Sequence, residues 1–225
     1  MAWLAHIDLL KLIIGNRWSS ALILEDDMDW STQIRQQTPL IASAVLNLTA
    51  QSPEPGYPYG QDWDVLWLGH CSDPPELDKP HVLYPDPTAA EDINTYRGLN
   101  KHIKTVLNGS QRAVHFSTSP VCTFAYAVTS TGARRVLDLA ATGVGGAFDL
   151  MLMHACKRKD LRCISVNPEV FDPYHPAEGE ESEVGAADHG EEFKSKSSNL
   201  VKGHTDNVLR SARCAGLFNE TCFNG

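Results

Sequence analysis

Apolar positions follow two patterns along the chain, one typical of helices and one typical of strands. Trp3, Leu4, Ile7, Leu10 and Ile14 follow helical spacing and predict an amphipathic helix at the start. Short apolar runs, which predict buried strands, lie at 21–24, 64–69, 122–128 and 162–166, with a weaker run at 81–84.

Helices are predicted between these strands. The first spans residues 31–49, and its buried side is formed by Ile34, Leu40, Ile41, Val45 and Leu48. The second begins after a capping Ser130, and the third runs from Phe148 to about Arg158. Strands that alternate with helices indicate an α/β layered sheet. Residues 86–112 are polar and receive no assignment.

We expect three parts along the chain. An α/β domain covers residues 1–176, and residues 177–199 form a flexible loop because they are acidic and rich in Gly and Ser. Residues 200–225 form a C-terminal segment that packs back on the domain.

Charge and missing motifs exclude several classes of function. The formal net charge of −9 argues against a nucleic-acid partner, because phosphate binding needs clustered Lys and Arg. No apolar run is long enough to predict a membrane span, and Asp8 and Lys11 interrupt the first apolar stretch, which therefore does not resemble a signal peptide. The chain also lacks the glycine-rich, Walker, G-x-S-x-G and H-E-x-x-H motifs of dehydrogenases, P-loop enzymes, serine hydrolases and zinc proteases.

Cysteines and glycosylation sequons bear on the compartment. None of the six cysteines forms a C-x-x-C pair, which argues against a structural zinc site. Sequons begin at Asn47, Asn108 and Asn219, and the last lies between Cys214 and Cys222, as in a lumenal loop closed by a disulfide. We expect the lumen of the Golgi or endoplasmic reticulum, reached through an anchor upstream. The alternative is a cytoplasmic protein with free thiols.

The run ALILEDDMDW, residues 21–30, is the strongest candidate for chemistry. It ends a predicted strand in carboxylates, and ligands of open α/β sheets collect beyond strand ends. Asp27 and Asp29, one residue apart, would point to the same side of an extended backbone and hold Mn²⁺ or Mg²⁺. Asp26 would point away into the loop, and Glu25 is the least favoured ligand. The alternative is an acid-rich helix start that stabilises the helix dipole.

Four segments in order carry a resemblance to a known family. ALILEDDMDW, WDVLWLGHC (63–71), TFAYAVTSTGARRVL (123–137) and FDLMLMHACK (148–157) resemble glycosyltransferase family 25, most closely its fungal branch. The likeness covers roughly residues 3–175, with a weaker echo at 205–213.

The resemblance implies a GT-A-type, Rossmann-like fold, a UDP-sugar donor that is usually UDP-galactose, and a metal bound at the acidic motif. Family members carry an amino-terminal strand and loop before the first helix seen here, so we expect this chain to be incomplete at its start. The implied cofactor-binding residues are Asp26, Asp27, Asp29 and His70, and the implied metal ligands are Asp27, Asp29 and His175.

Asp149, His175 and His70 each have an alternative interpretation. Asp149, after a glycine turn and at the start of a helix, is our candidate for the base that takes the acceptor proton, or for an acceptor-binding group. It would otherwise cap the helix. His175 would complete the metal sphere, as a late histidine often does in GT-A enzymes, or be an ordinary loop residue. His70, after Gly69, would face the donor or acceptor, or be structural. Gly132 is expected to permit close approach of a helix to a strand.

The leading hypothesis is a metal-dependent, inverting glycosyltransferase that acts on a glycan or glycoprotein hydroxyl. The main alternative is a catalytically deficient remnant that binds glycans or partners. A third possibility is a metal-dependent phosphohydrolase or nucleotidyltransferase that uses the same acids.

Overall fold

The computed structural model describes residues 2–71, 73–99, 101–143, 146–175 and 202–223. The helices in these ranges are α1 (Ala2–Gly15), α2 (Ile34–Leu48), α3 (Ile103–Val106), α4 (Ser130–Ala141), α5 (Phe148–Arg158) and α6 (Ala212–Phe218), with a 3₁₀ turn at Ile93–Thr95. The strands are β1 (Ser20–Leu24), β2 (Met28–Trp30), β3 (Val65–Gly69), β4 (His81–Pro85), β5 (Gln111–Phe116), β6 (Ala125–Thr129), β7 (Cys163–Asn167) and β8 (Phe171–Pro173).

The expected α/β class is confirmed, in the form of a six-stranded mixed sheet flanked by helices. Its strand order is β1-β6-β3-β7-β5-β4. β3 and β7 are parallel, and the other neighbouring pairs are antiparallel. β1, β3 and β7 therefore run in the same direction and end at one edge of the sheet, which we call the carboxyl edge. β2 and β8 pair separately as a short antiparallel ribbon, the β2–β8 ribbon.

Two apolar layers sandwich the sheet, and β3 shows why. Its five residues are all buried because it lies between β6 and β7. Val65 and Trp67 pack in the layer that contains α1, α4 and α5, whereas Leu66 and Leu68 pack in the layer that contains α2. This period-two alternation places one hydrophobic core on each face of the strand.

The prediction that residues 21–24 form a buried strand was wrong in its burial. β1 is an edge strand that pairs only with β6 in the described part of the chain. Ile23 is buried, but Leu22 is 45% exposed and Leu24 is 38% exposed. A short aliphatic run does not distinguish an edge strand from a central one, because both favour the same residue types.

Disulfides and membrane propensity complete the fold. All six cysteines are paired, as Cys71–Cys122, Cys156–Cys163 and Cys214–Cys222. Among the helices that the structure describes, none is long and apolar enough to cross a membrane.

The expected acidic loop at 177–199 lies outside the described residues. The described residues 202–223 lie against the β2–β8 ribbon through contacts given below.

A candidate ligand cleft at the carboxyl edge

A cleft of about 640 Å³ opens where β3 and β7 end and where the β2–β8 ribbon begins. This volume lies within the range of small-molecule sites. A second cleft, where β1 begins and β6 ends, is only about 130 Å³. The larger cleft draws its polar lining from three regions of the chain: His70 after β3, then Asn94, Arg97, Lys101 and Lys104, and finally Glu169, Asp172, His175 and Asp206.

Two buried acids, Glu169 and Asp172, form one wall of the cleft. The Tyr96 hydroxyl hydrogen-bonds the two Glu169 carboxylate oxygens at 3.1 and 3.0 Å. Asn207 donates from its side chain to Glu169 at 3.1 Å and from its backbone to Asp172 at 3.1 Å. Burial raises the pKa of Glu169, and the Asp172 carboxylate raises it further. Burial also raises the pKa of Asp172, and nearby Asp206 adds to that rise.

The backbone at Glu169 is held in place by a buried ion pair. Arg112 donates from its guanidinium to the Glu169 carbonyl at 3.0 Å, and its Nε donates to the Asp86 carboxylate at 2.5 Å. Both Arg112 and Asp86 are buried, so each charge is compensated by the other. The turn from β7 to β8, which carries Glu169, is therefore held rigidly.

Another part of the lining, here called the basic wall, consists of basic residues. Arg97, Lys101 and Lys104 line it, and the Lys104 ammonium donates to the Asn94 carbonyl at 2.6 Å. A cleft lined by both acidic and basic residues suits a ligand that carries both an anionic group and neutral hydroxyls. The cations attract the anion, and the carboxylates accept hydrogen bonds from hydroxyls.

His70 is buried at the boundary of the cleft with one ring nitrogen unsatisfied. Its Nε2 donates to the Val166 carbonyl at 3.1 Å, so Nδ1 is the unprotonated nitrogen. No described residue hydrogen-bonds that Nδ1. Burial lowers the pKa of His70 despite the nearby Asp73 carboxylate, so the ring is neutral near pH 7. A buried acceptor without a partner is unusual in a folded protein, and it lies beside a cleft that has room for a donor.

The acidic motif divides into a buried and an exposed part. Asp29, on β2, is buried and accepts hydrogen bonds from the backbone N–H groups of Trp30 at 2.8 Å and Arg213 at 3.1 Å, and from the Ser211 hydroxyl. Asp27 precedes β2 and its side chain is exposed. The two carboxylates therefore do not form the same-side pair expected of a continuous strand.

Asp26 and Asp27 lie at the surface, next to the end of β8. The Tyr174 N–H donates to the Asp27 carbonyl at 2.9 Å, and the Arg213 guanidinium donates to the Asp26 carbonyl at 2.9 Å. Reduced hydration raises the pKa of Asp27, although nearby Arg213 and His175 oppose the rise. A carboxylate that is costly to ionise gains from a neighbouring cation.

His175 lies one residue beyond Tyr174 and lines the cleft. Its backbone pairs with that of His204, and the two rings are 5.2 Å apart. Its Nε2 is 3.7 Å from one Asp206 oxygen, and the Nε2 of His204 is 3.7 Å from the other.

These positions test how well the predicted ligands fit a metal ion. Within the described ranges, no group of three or more His, Cys, Asp or Glu residues is arranged to hold one. Asp29 fits poorly, because ligation would break hydrogen bonds that hold Ser211 and Arg213. Asp27 and His175 fit better, since both are accessible and close enough to interact electrostatically. Mg²⁺ is commonly bound by one or two protein ligands together with substrate phosphates.

Asp149 does not line the cleft. Its carboxylate accepts hydrogen bonds from the N–H groups of Cys122 at 3.1 Å and Leu150 at 2.8 Å, so it fixes the segment before β6 against the first turn of α5. The N-cap of α5 is Ala147, so the alternative prediction that Asp149 caps this helix was wrong. Its charge also influences Glu25 and His6. The structure thus places it with structural partners.

Sequence reasoning missed most of the cleft. Glu169 and Asp172 follow the end of β7, so the rule that drew attention to the acids after β1 also applies to them. Tyr96 and Arg97 lie in the unassigned polar region, and Asn207 gave no local signal. No protein-family model and no curated protein matches the chain.

Proposed function

We propose that this protein is a metal-dependent glycosyltransferase of the GT-A type. It would move a hexose, galactose being the expected sugar, from a UDP-sugar to a hydroxyl of a glycan or glycoprotein. The observation that carries the proposal is the large cleft at the carboxyl edge, whose lining includes acidic residues, basic residues and His175, with Asp27 close enough to His175 to interact with it electrostatically. The resemblance of the sequence to glycosyltransferase family 25 supports the choice among anionic ligands.

The basic wall is the proposed site of the donor diphosphate. Arg97, Lys101 and Lys104 offset its charge, and this attraction weakens with salt, as for any exposed charges. Asp27 and His175 would hold Mn²⁺ or Mg²⁺, which supplies charge stabilisation to the leaving diphosphate. His70 offers its free Nδ1 to a hydroxyl or amide donor of the bound nucleotide sugar.

The acidic wall is the proposed site of the reacting hydroxyl. Asp172 lines the cleft whereas Asp149 does not, so we assign the base to Asp172. In an inverting transfer the acceptor oxygen bonds to the anomeric carbon, the bond from that carbon to the diphosphate breaks, and the acceptor proton passes to Asp172.

Calorimetry on the purified chain tests the donor site. UDP is titrated in the presence of Mn²⁺ and again in the presence of a chelator, and we expect heat of binding only with the metal. Asp27→Asn should weaken metal-dependent binding about 10-fold or more, as expected for a lost ligand. Asp26→Asn, a neighbouring exposed acid, is the matched control and should bind as the wild type does. Equal binding by Asp27→Asn would remove that residue from the site, and no binding by the wild type would remove the donor assignment.

A transfer assay with UDP-galactose and saccharide acceptors tests the chemistry. Asp172→Asn should lower the turnover rate about 100-fold or more, the usual contribution of a general base. Asp149→Asn, with its fold verified by circular dichroism, should retain most activity. The opposite ranking would return the base to Asp149. Nucleotide release that needs no acceptor would indicate a phosphohydrolase, and UDP binding without turnover would indicate a binding protein.

A further inference from the structure

The three glycosylation sequons differ in the structure that surrounds them. Asn47, Asn108 and Asn219 all have exposed side chains. Asn47 lies in the last turn of α2, Asn108 lies in the loop between α3 and β5, and Asn219 follows the end of α6. An acceptor asparagine must be reached by a large enzyme, and the hydroxyl two residues later must be free for recognition. Backbone conformation and hydroxyl partners therefore distinguish sequons that are equally exposed.

We infer that Asn108 and Asn219 carry N-linked glycans and that Asn47 does not. This inference concerns modification of the chain and does not rest on the proposed transferase activity.

The three residues of the sequon at Asn219 are exposed to solvent. Asn219 has a left-handed backbone with φ 56° and ends α6, and Asn219, Glu220 and Thr221 are each exposed. Neither the Asn219 amide nor the Thr221 hydroxyl is hydrogen-bonded to a described residue, whereas the Glu220 carboxylate pairs with Lys202. The Cys214–Cys222 disulfide closes this short segment into a loop at the surface.

The sequon at Asn108 lies in a turn. The chain is extended at Leu107, with φ −116° and ψ 151°, and Ser110 has a left-handed φ of 53°. Backbone hydrogen bonds hold the turn at Ser110, whose N–H donates to the Ala90 carbonyl at 2.7 Å. The Asn108 side chain makes no hydrogen bond to any described residue and remains exposed.

The sequon at Asn47 is helical. The Thr49 hydroxyl donates to the Val45 carbonyl at 2.8 Å, so the group needed for recognition is used inside α2. Leu48, between the two sequon residues, packs against the core beside α2. Helices form from local contacts and therefore early, which removes this sequon from extended conformations.

The paired cysteines place the chain in a suitable compartment. Disulfides form and persist in the oxidising secretory pathway, where N-glycosylation also takes place. There the Asn amide nitrogen bonds to the anomeric carbon of a lipid-diphosphate oligosaccharide. The bond from that carbon to the diphosphate breaks, and the amide loses one proton. Neither Asn108 nor Asn219 lines the ligand cleft, so both glycans leave it open.

The test is expression of the full chain behind a secretion leader in a eukaryotic host. Retained and secreted protein are both analysed, because transfer occurs before export, so a variant that is not secreted still shows which asparagines carry a glycan. Glycans are released enzymatically in ¹⁸O water, which converts each occupied Asn to a labelled Asp that peptide mass spectrometry locates. We expect the label at Asn108 and Asn219 and unlabelled Asn47.

Variants give matched controls. Asn108→Gln and Asn219→Gln should each remove one glycan, and the double variant should carry none. Thr221→Ala should abolish the modification at Asn219, whereas Thr221→Ser should preserve it. Asn47→Gln should migrate as the wild type does. An unmodified Asn108 or Asn219, or a labelled Asn47, would overturn the assignment.

Discussion

Asp29 is a single buried carboxylate that joins the β2–β8 ribbon to the start of α6. Its oxygens accept from Ser211 and from the N–H groups of Trp30 and Arg213. We expect Asp29→Ala to lower the free energy of unfolding by about 3 kcal/mol, because it leaves buried donors without partners.

Urea denaturation of Asp29→Ala beside Asp26→Ala measures this effect. The Asp26 side chain is exposed, and only its backbone carbonyl is hydrogen-bonded to Arg213, so the control should change stability by less than about 0.5 kcal/mol. Equal midpoints for the two variants would show that the Asp29 network contributes nothing.

Glu169 gives the protein a stability that depends on pH. Because burial raises its pKa, the folded protein keeps a proton that an unfolded glutamate has already released. Stability from this group is therefore lost as pH rises from about 4.3, the unfolded value, to the raised folded pKa. Glu169→Gln removes the loss, so its stability relative to the wild type should increase across this window, by at most about 1.4 kcal/mol per pH unit.

Unfolding curves at about pH 5 and about pH 8 measure that difference. Glu76→Gln, which replaces an exposed acid paired with Lys79, is the control and should show a nearly constant difference from the wild type. A constant difference for Glu169→Gln would mean that Glu169 is ionised in the folded protein.

The acids at the end of β1 lie at the same edge of the sheet as the large cleft, but the individual partners of these acids were beyond reach of the sequence. Asp29 is committed to Ser211 and Arg213, which lie far along the chain. Local spacing predicts which way a side chain points and carries no information about such distant partners. The same limit explains Asp149, whose carboxylate binds the N–H group of Cys122, a residue 27 positions earlier in the chain.

At the scale of elements, Gly132 sets the distance between α4 and β3. A Cβ at this position would lie 2.3 Å from the Asp64 carbonyl oxygen, so the expectation of close approach is confirmed. We expect Gly132→Ala to destabilise the protein by about 1–3 kcal/mol or more, because backbone must move to admit the methyl group.

Gly216→Ala is the matched control within another helix. Apart from its two chain neighbours and the backbone of α6 itself, no atom of the described residues lies within 4 Å of the place that its new methyl group would take, so alanine should be neutral or stabilise α6 by up to about 1 kcal/mol. Thermal unfolding of the two variants compares them, and a neutral Gly132→Ala would show that α4 can shift freely.

Long periodic elements were predictable, and short ones were not. The pattern located α1, α2, α4, α5 and the central strands β3, β6 and β7 close to their observed bounds. It missed α3, in the polar region 86–112, and β5, which begins at Gln111 and continues beyond that region, and it also missed β8 and α6. The cap of α4 is Thr129 and not the predicted Ser130, since the Thr129 hydroxyl accepts from the Gly132 N–H. Elements of three or four residues contain too few positions to establish a period, and β5 has Gln111, Arg112 and His115 among its six residues, so it does not show the apolar run of a buried strand.

At the scale of the whole molecule, Asn207 ties together two of the three regions that line the cleft, the one that contains Arg97 and the one that contains Glu169 and Asp172. Its amide oxygen accepts from the Arg97 N–H at 2.9 Å, and its amide nitrogen donates to Arg97 and Glu169 at 3.2 and 3.1 Å. Asn207→Ala should cost about 2 kcal/mol and increase amide exchange in residues 94–99, because it releases the basic wall from the acidic one.

Hydrogen-exchange mass spectrometry with Asn16→Ala as control tests this coupling. The Asn16 side chain donates only to the Leu12 carbonyl on the surface of α1, so exchange at 94–99 should stay at the wild-type rate. Unchanged exchange in Asn207→Ala would show that the basic wall is held by other contacts.

The disulfide between Cys71 and Cys122 has a practical consequence for anyone who prepares this protein. Cys71 lines the cleft, and its partner lies 51 positions later, at the point where Asp149 binds the backbone. Thiol reductants in purification buffers would break this disulfide, and production in a bacterial cytosol would prevent it from forming. Material handled in that way would give poor assay results for reasons unrelated to the chemistry of the cleft.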